Sequence, residues 1–453
     1  MSNRTTQLKI FLIANLFLIL AINFIQMEAV FLLSLILVYY ILIFTFINQK
    51  IGLFLIILFR PCLDIFTSEQ VISFTKIPLN ITSVIGSISI ILAIILIYKN
   101  KAQRPPLFTV WLLFLGISLV SLIFSFDKII SLKELARLLS IFLIYLSSFY
   151  LIKKNKDFVL LVKIIIFSAV IPGSLAIYQY FTNTGLSVPL ENIYNRIYGT
   201  FSHPNLFAYY LIIPITLSIL IFLIGKKEKI VNILILSLSL FFILLLGLTF
   251  TRGAWLAFII IVLIIGIIQY RILLLTAFII FFLSYLFIPP IHSRINDLHN
   301  AKKGNSIEWR QTLWRDALSY IKDKPVIGYG VGTANKIILE KRGERMGSSD
   351  PHNDYLKISI ENGLLGLASY LILIISTLFY LIKDYFKTEQ LKLKTVNLTV
   401  FALFFALITM SFADNIIRNT ALQWTLWSLI GGLMGMNHFK NTKNRIEKII
   451  DKQ

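Results

Sequence analysis

The sequence predicts an all-α polytopic membrane protein, and three observations support this prediction. Of the 453 residues, 57% are hydrophobic and only 14% are charged, whereas soluble domains carry about a quarter charged residues. The apolar residues form runs of about 17–25 residues separated by short polar breaks, as helices that cross a bilayer require. The lysines and arginines behind the net charge of +21 lie mostly in alternate short loops, which is typical of membrane topology and not of a nucleic-acid-binding surface.

The apolar runs predict roughly 12 to 14 membrane spans. The N-terminal stretch MSNRTTQLK leads into the first run without a small-residue cleavage site, so we expect that run to remain as a span and not to be removed as a signal peptide. The third run is too short to cross a membrane unaided. The predicted spans are residues 10–26, 28–47, 50–60 (short), 80–98, 107–126, 134–152, 158–181, 204–224, 230–249, 253–269, 272–289, 355–382, 395–413 and 420–437.

The positive-inside rule predicts the side of the membrane on which each loop lies. Basic loops, such as those around Lys50, Lys153 and Lys226, alternate with loops that are poorer in lysine and arginine, so both termini are expected in the cytoplasm. Several polar segments and most of the histidines then emerge on the opposite, outer side, where we expect the functional chemistry. The segments are residues 182–203, 248–255, 290–354 and 412–419, and the histidines are His203, His292, His299 and His352.

This topology divides the chain into four parts. The predicted parts are an N-terminal transmembrane bundle (1–289), a large outer loop (290–354), C-terminal transmembrane helices (355–437) and a basic cytoplasmic tail (438–453).

In the outer loop, apolar residues at near-helical spacing predict an amphipathic helix that lies on the membrane surface. Arg310 lies one turn before Trp314, so the two share a face of this helix. The segment GYGVG at 328–332 lacks the Lys-Ser/Thr pair and the strand–helix context of a phosphate-binding loop, and we interpret it as a tight turn. The apolar positions of the helix are Ile307, Trp314, Leu318 and Ile321.

Arginines near the outer ends of the spans are candidates for anion binding. Arg252 lies in a very short break between two spans, where an arginine is costly unless it faces an internal cavity or an anion. The alternative for Arg252 is an interfacial anchor beside Trp255. For Arg310, a face that carries both arginine and tryptophan suits a lipid with a sugar and phosphate headgroup, and the alternative is simple anchoring at the lipid surface.

The segment NRIYGTFSHPN contains a turn that opens the next helix, with His203 or Asn205 near its N-cap. Arg196 of this segment could contact a substrate or only add loop polarity. Arg60 is spaced to form an i,i+4 ion pair with Asp64, and Arg137 lies near the outer end of its span.

His352, in the stretch SSDPHNDYL, has three possible roles. A zinc site needs three or four ligands, usually several histidines or cysteines, but this stretch has one histidine and the chain has one cysteine, Cys62. Asp350 and Pro351 have the types expected at the N-cap and first position of a helix, which makes a capping region plausible. An imidazole also has a suitable pKa for a general base. On the residues alone, the cap and the base remain equally open.

Four segments occur in the order in which a known family has them. They are RIYGTFSHPNLFAYYL, TFTRGAWLA, WRQTLWRDALSYIKDKPVIGYGVGT and HNDYLKISIENGLLGL. Together they resemble the O-antigen ligase and O-antigen polymerase superfamily of membrane glycosyltransferases. The resemblance is close over about residues 190–370 and extends to the layout of spans over the whole chain.

The resemblance implies a GT-C-like helical bundle of the bacterial inner membrane that acts at its periplasmic face without a metal ion or other cofactor. The donor would be a glycan on undecaprenyl pyrophosphate, and the acceptor a hydroxyl of lipid A-core or another glycan in lipopolysaccharide biosynthesis. By motif match, His352 would be the catalytic base, and Arg252 and Arg310, with Arg196 as a third arginine, would bind the pyrophosphate. The accessory candidates are His203, which replaces a small residue common in relatives, and Asn205, Asn353, Trp314, Arg60 and Arg137.

An O-antigen ligase, an inverting transferase, is therefore the predicted function. Two alternatives share the donor chemistry and differ in the acceptor, namely a polysaccharide polymerase and a protein O-oligosaccharyltransferase. A third alternative is a transporter of anionic solutes or lipid-linked sugars, which should have polar residues and broken helices near the midplane of repeated halves. We find no such repeat in the sequence.

Overall fold

The computed structural model describes residues 29–66, 81–100, 103–188, 193–225, 229–287, 306–342 and 349–450. This part of the chain is helical nearly throughout and has one two-stranded antiparallel hairpin. The predicted first span, 10–26, and the loop residues His292 and His299 lie outside the described residues. The protein is an all-α polytopic membrane protein, as predicted.

The helices follow the predicted apolar runs, with bounds that differ by a few residues. The predicted span 158–181 is two helices that meet at Ala169, and the last helix runs on to Ile450 without a break at residue 437. In chain order the elements are α1 (Ala29–Ile47), α2 (Gln49–Phe59), a 3₁₀ helix (Cys62–Phe66), α3 (Ile81–Lys99), α4 (Phe108–Ile123), α5 (Lys128–Leu151), α6 (Asn155–Ser168), α7 (Val170–Thr182), β1 (Leu186–Val188), β2 (Ile193–Arg196), α8 (Pro204–Ile224), α9 (Lys229–Leu248), α10 (Arg252–Ile268), α11 (Ile272–Phe287), α12 (Ser306–Asp323), α13 (Ala334–Arg342), α14 (Asp354–Lys387), α15 (Leu391–Met410) and α16 (Thr420–Ile450).

Several of these helices are long and apolar enough to cross a membrane. Shorter apolar helices accompany them, among them Phe108–Ile123 and Arg252–Ile268. Many large apolar side chains on the helices are exposed, for example Phe278 at 65% and Ile375 at 63%, as expected of surfaces that face lipid. The long apolar helices are Ile81–Lys99, Asn155–Thr182, Pro204–Ile224, Ile230–Leu248, Asp354–Lys387 and Leu391–Met410.

The centre of the bundle is the packing of α16 on α5. Gly431 and Gly435 of α16 face the backbone of α5 so closely that an added Cβ would lie 2.4 Å from the carbonyl oxygens of Tyr145 and Phe149 respectively. Trp424, which is 1% exposed, donates from its Nε1 to Ser140 Oγ on α5 at 3.1 Å. Small residues permit this close approach of helices in a membrane. The contact positions α16, and the polar residues Asp414 and Asn415 lie just before the start of this helix.

Helix α14 is interrupted at Gly363, which has φ +66° and ψ −170°. The backbone of the loop before α13 pairs with this break: Tyr329 N–H donates to the Ile360 carbonyl at 2.9 Å, and Leu364 N–H donates to the Pro325 carbonyl at 2.7 Å. Gly330 N–H also donates to the Glu361 carbonyl at 2.9 Å. The interpretation of GYGVG as only a tight turn is therefore too narrow, because the segment satisfies backbone groups that the helix break would leave unpaired.

The predicted helix of the outer loop is present as α12. Leu313, Ala317 and Tyr320 of this helix are buried against α13 and α14, whereas Leu318, one of the predicted apolar positions, is 52% exposed. The contact of this helix with the membrane surface stays a prediction.

Replacement of Gly363 by alanine should destabilise the protein. The residue has a backbone conformation that glycine adopts easily, and a Cβ there would lie 2.2 Å from the Val326 carbonyl oxygen, so we expect a loss of about 1–3 kcal/mol or more. The matched control is Gly86→Ala in the interior of α3, where an added Cβ meets no atom within 4 Å and the melting temperature should stay equal or rise. Thermal unfolding of the full-length protein in detergent compares the two variants. Equal melting temperatures would contradict the assigned role of Gly363.

Candidate active site

His352 lies directly before the N-cap residue of α14, and this N-cap is not Asp350, the residue that the sequence predicted. The N-cap is Asn353, whose side chain accepts from Leu356 N–H at 3.1 Å, and the helix begins at Asp354. The predicted cap residue Asp350 instead uses its carboxylate to accept hydrogen bonds from Asn415 and, at 2.8 Å, from Arg418. Distant residues therefore decide the role of Asp350, and local sequence does not show them.

The His352 side chain is paired with a carboxylate from a different loop. Its Nδ1 lies 3.1 Å from Asp414 Oδ1, and its backbone φ of +46° is in the left-handed region. The side chain is 20% exposed and that of Asp414 is 10% exposed. A carboxylate at Nδ1 orients an imidazole and favours the tautomer that carries its proton on that nitrogen.

Asp414 is held from three directions. Besides pairing with His352, Asp414 accepts a hydrogen bond from Asn205 Nδ2 at 2.7 Å through Oδ2. Its Oδ1 accepts a second one from the backbone N–H of Asn415 at 2.9 Å. Burial alone would raise the pKa of Asp414, but the hydrogen bond to His352, that residue's charge, the Asn415 amide and the charge of Arg310 together hold the pKa below its usual value. The group is therefore an anion that can keep the neighbouring imidazole oriented.

Arg196 stabilises the other end of this network and is 6% exposed. Its Nη2 donates to Asn205 Oδ1 at 2.8 Å and to Thr251 Oγ1 at 3.1 Å, and its Nε donates to the Thr249 carbonyl at 2.8 Å. Because its guanidinium is occupied by these protein groups, Arg196 positions Asn205, and through it Asp414. We place it behind the site and not among the groups with first access to a ligand.

The four outer segments predicted to share one face are thus joined by hydrogen bonds. Arg196 belongs to 182–203, Thr251 to 248–255, His352 to 290–354 and Asp414 to 412–419, and they are linked through Asn205 at the start of α8. This confirms that the four segments lie at the same end of the bundle. Their position on the periplasmic side stays a prediction.

His203 is the N-cap residue of α8. Its Nδ1 accepts from Asn205 N–H at 3.1 Å, so a neutral ring carries its proton on Nε2. Burial, the positive charge of Arg196 and the nearby His352 lower the pKa of His203 to about 4, although Asp414 acts in the opposite direction. The ring is therefore a neutral hydrogen-bond donor near pH 7 and is not suited to carry charge there.

A polar cavity of about 530 Å³ opens beside His352 and Asp414. Its size falls in the range of about 300–1,000 Å³ that is usual for small-molecule sites. It is lined by Arg60, Asp64, Thr82, Ser202, His203, Asn205, Leu206, Asn335, Asp350, His352, Asp414, Asn415, Arg418, Asn419 and Thr420. Among the predicted site residues, the cavity thus brings together the two histidines, Asn205 and Arg60.

Arg252 and Arg310 lie outside this lining. Arg310, on α12, is half-buried and its charge acts on both Asp414 and Tyr209. Arg252 is the half-buried first residue of α10, and the next residue, Gly253, is so close to Tyr209 that an added Cβ would lie 2.3 Å from its hydroxyl. Tyr209 therefore lies beside the first turn of α10, which carries Arg252, and its hydroxyl is acted on by the charge of Arg310.

Three of the predicted residues hold parts of the site in place. Arg60 is 3% exposed and forms the predicted ion pair with Asp64 at 2.6 Å. Arg137 donates to the Ile417 carbonyl at 2.5 Å and so fixes the loop that carries Asp414. Trp314 Nε1 donates to the Pro351 carbonyl at 2.8 Å, which ties α12 to the residue before His352.

Asp414, Asn415 and Tyr209 were not predicted. Asp414 and Asn415 lie in FADNIIRN, which the sequence marked only as a break between spans, and Tyr209 lies in the apolar run of α8. An acidic residue in a short break on the face that holds the histidines is the signal that could have identified Asp414. Among the described residues, no group of three or more His, Cys, Asp or Glu side chains is placed to hold a metal ion, and a metal-independent reaction stays a prediction.

Residues 234–371 match the family model described as O-Antigen ligase. This part of the chain is therefore similar to the O-antigen ligase family. The matched region contains Thr251, Arg252, Arg310 and His352, whereas Arg196, Asn205 and Asp414 lie outside it.

Two relatives resemble shorter parts of the chain. A Rickettsia typhi protein named "Putative polysaccharide ligase" is 32% identical over 98 residues, which is 19% of this chain and 24% of that protein. An uncharacterized protein of Haemophilus influenzae is 27% identical over 108 residues, 22% of this chain and 27% of that protein. The chain therefore spans about a quarter of the length of the curated relatives it matches.

The stability of the protein should fall as the pH is lowered from about 6.5 towards about 4, partly because of His203. Its pKa of about 4 in the folded protein is below its usual value of 6.5, so the unfolded chain binds a proton more readily in this window, and the contribution of the neutral ring is lost as the pH falls. Thermal unfolding as a function of pH measures this effect.

The matched variant is His203→Asn, since asparagine also caps helices but does not titrate. The fall in melting temperature between pH 6.5 and 4 should be smaller in this variant than in the unaltered protein. Parallel curves for the two proteins would rule out a buried neutral His203.

Proposed function

We propose that this protein is an O-antigen ligase that moves a glycan from an undecaprenyl pyrophosphate carrier to an acceptor hydroxyl of lipid A-core, with inversion at the anomeric carbon. The observation that carries this proposal is the His352–Asp414 pair on the wall of a polar cavity, 3.1 Å apart. The match of residues 234–371 to the O-antigen ligase model supports it. The word ligase in the name of the Rickettsia relative favours a ligase over a polymerase or a protein O-oligosaccharyltransferase, which share the donor chemistry.

In the proposed reaction His352 is the general base. With Nδ1 directed to Asp414, Nε2 of the neutral ring takes the proton from the acceptor hydroxyl. The hydroxyl oxygen forms a bond to the anomeric carbon of the glycan as the bond between that carbon and the pyrophosphate oxygen breaks. Asp414 stabilises the imidazolium that forms, as a buried carboxylate does when it is hydrogen-bonded to a catalytic histidine.

The electron pair of the broken bond leaves with the lipid pyrophosphate, whose negative charge therefore grows during the reaction. We assign Arg252 and Arg310 to this group, because Gly253, the neighbour of Arg252, lies beside Tyr209, and the charge of Arg310 acts on both Tyr209 and Asp414. Fixed guanidinium groups at a leaving pyrophosphate lower the barrier in the manner of a metal ion. Arg196, in contrast, contributes through Asn205.

The proposed setting follows from the same chemistry. A carrier lipid keeps its headgroup at the membrane surface, and the network joins loops at one end of the helices. We place this end at the periplasmic face of the bacterial inner membrane, with both chain termini in the cytoplasm. A transporter of anionic solutes or lipid-linked sugars is the weaker alternative, since the polar network lies at the helix ends and not at the midplane where transporters bind their substrates.

Replacement of His352 should abolish transfer while the protein remains folded. His352→Ala removes the base and should lower the rate by about 100- to 10,000-fold, whereas Asp414→Asn keeps the base but loses the oriented anion, and should cost roughly 100-fold. The assay measures glycan transfer by the purified full-length protein from a lipid-pyrophosphate-linked glycan.

The matched control is His438→Ala, since His438 is an exposed histidine of α16 that packs beside Phe149. It should retain the full rate. If His352→Ala transfers as fast as the control, the assignment of the base is wrong.

Arg310, on α12, should be needed for the planar shape of its guanidinium group as well as for its positive charge. Arg310→Ala should lower transfer by about 100-fold or more, and Arg310→Lys should recover only part of that loss, because an ammonium group cannot contact two phosphate oxygens in the same planar geometry. Arg315→Ala, on the exposed face of the same helix, is the control and should be unaffected. Transfer rates at saturating acceptor measure this. A wild-type rate for Arg310→Ala would remove Arg310 from the donor site.

A further inference from the structure

We infer that the cavity beside His352 binds an uncharged sugar residue of the acceptor, and that the donor pyrophosphate binds elsewhere. This inference rests on the proposed function, whose acceptor it describes more closely. It is carried by the charges, the incompletely bonded polar atoms and the position of the cavity.

The charges of the cavity wall suit a neutral ligand. The wall contains two guanidinium groups and three carboxylates, those of Arg60, Arg418, Asp64, Asp350 and Asp414. Both arginines are already paired, Arg60 with Asp64 at 2.6 Å and Arg418 with Asp350 at 2.8 Å. A pyrophosphate placed here would meet an excess of negative charge at short range, while Arg252 and Arg310 lie outside the described lining.

Three lining residues each have a buried side-chain atom that makes no hydrogen bond within the described part of the chain. They are Arg60 through Nε, Asn335 through Oδ1 and Asn415 through Oδ1. Buried polar atoms in proteins are nearly always hydrogen-bonded, so their grouping around one cavity points to a ligand with many polar groups. A sugar hydroxyl both donates and accepts, and can therefore serve the asparagine oxygens as well as the arginine N–H.

The position of the cavity fits an acceptor because both histidines line it. His352 can take the proton of one hydroxyl at Nε2, while the Nε2–H of His203 can donate to the oxygen of a neighbouring hydroxyl, since the Nδ1 of His203 is used by Asn205 N–H. Arg310 acts on Asp414, the carboxylate that orients His352. The acceptor pocket and the donor site thus meet at the His352–Asp414 pair.

Asn335 provides the sharpest test because its Oδ1 makes no hydrogen bond with the described residues. Removal of the Asn335 side-chain amide should therefore weaken ligand binding and leave the stability of the folded protein unchanged. The experiment measures, by isothermal titration calorimetry without any donor, the binding of methyl glycosides of neutral hexoses and of the corresponding hexose 6-phosphates. The protein is full-length and held in lipid nanodiscs, and the variants are Asn335→Ala and, as a control on the exposed face of α13, Glu340→Ala.

We expect at least one neutral glycoside to bind, its 6-phosphate to bind more weakly, and Asn335→Ala to weaken the neutral glycoside roughly tenfold at an unchanged melting temperature. Glu340→Ala should bind as the unaltered protein does. His203→Asn, which keeps the helix cap, should weaken the same glycoside and raise the KM for the acceptor more than it lowers kcat, which loss of a cap alone would not do.

Three results would overturn the inference: no binding of any neutral glycoside, tighter binding of the phosphates, or equal affinity in Asn335→Ala and Glu340→Ala. If these occur while His352→Ala still abolishes transfer, the pocket assignment is wrong and the proposed function stands. If the glycosides bind as expected but His352→Ala retains transfer, the proposed function is wrong, and with it the role of the bound sugar as acceptor.

Discussion

The buried carboxylate of Asp414 is the constraint on which the site depends. A charged group removed from water is costly unless hydrogen bonds and opposite charges compensate it. Here the compensating groups come from separate parts of the chain: His352 before α14, Asn205 at the start of α8 and the Asn415 amide beside it. Loops that are more than 200 residues apart in sequence are therefore held together by one anion.

The helices supply the rigidity that this arrangement needs. The close approach of α16 to α5 at Gly431 and Gly435 positions the loop that carries Asp414, and Arg137 of α5 fixes the same loop through the Ile417 carbonyl. On the other side, the break at Gly363 lets backbone N–H groups of the outer loop pair with α14. His352, at the N-terminal end of that helix, is thus positioned by regular structure on both sides.

Much of the fold could be predicted from the sequence, because a bilayer imposes the length and apolarity of its helices. The alternation of basic loops also grouped four polar segments on one face, and hydrogen bonds link them. Arg196 donates to Asn205 and Thr251, Asn205 donates to Asp414, and Asp414 pairs with His352. The local details were less predictable. Asp350 resembled an N-cap by its position before a proline, but its partners Asn415 and Arg418 lie more than 60 residues away, and no local pattern encodes such contacts.

The same limit applies to the arginines. Type and location indicated that several could bind an anion, and the structure separates them by what their guanidinium groups contact. Arg60 is paired with Asp64, and Arg196 with backbone and side-chain groups of the protein. The charge of Arg310, in contrast, acts on Tyr209 and Asp414. Local spacing predicted the Arg60–Asp64 pair, but Thr249 and Thr251, which bond to Arg196, are distant in sequence, and only the folded chain reveals such partners.

We propose that this network performs glycosyl transfer and does not merely transport a lipid-linked sugar. The most direct measurement uses purified full-length protein in sealed lipid vesicles without an ion gradient, supplied with a lipid-pyrophosphate-linked glycan and a lipid A-core acceptor. We expect a new glycosidic bond on the acceptor and the release of one lipid pyrophosphate for each bond formed. Passage of the intact lipid-linked glycan across the vesicle membrane, without any glycosylated acceptor, would contradict it.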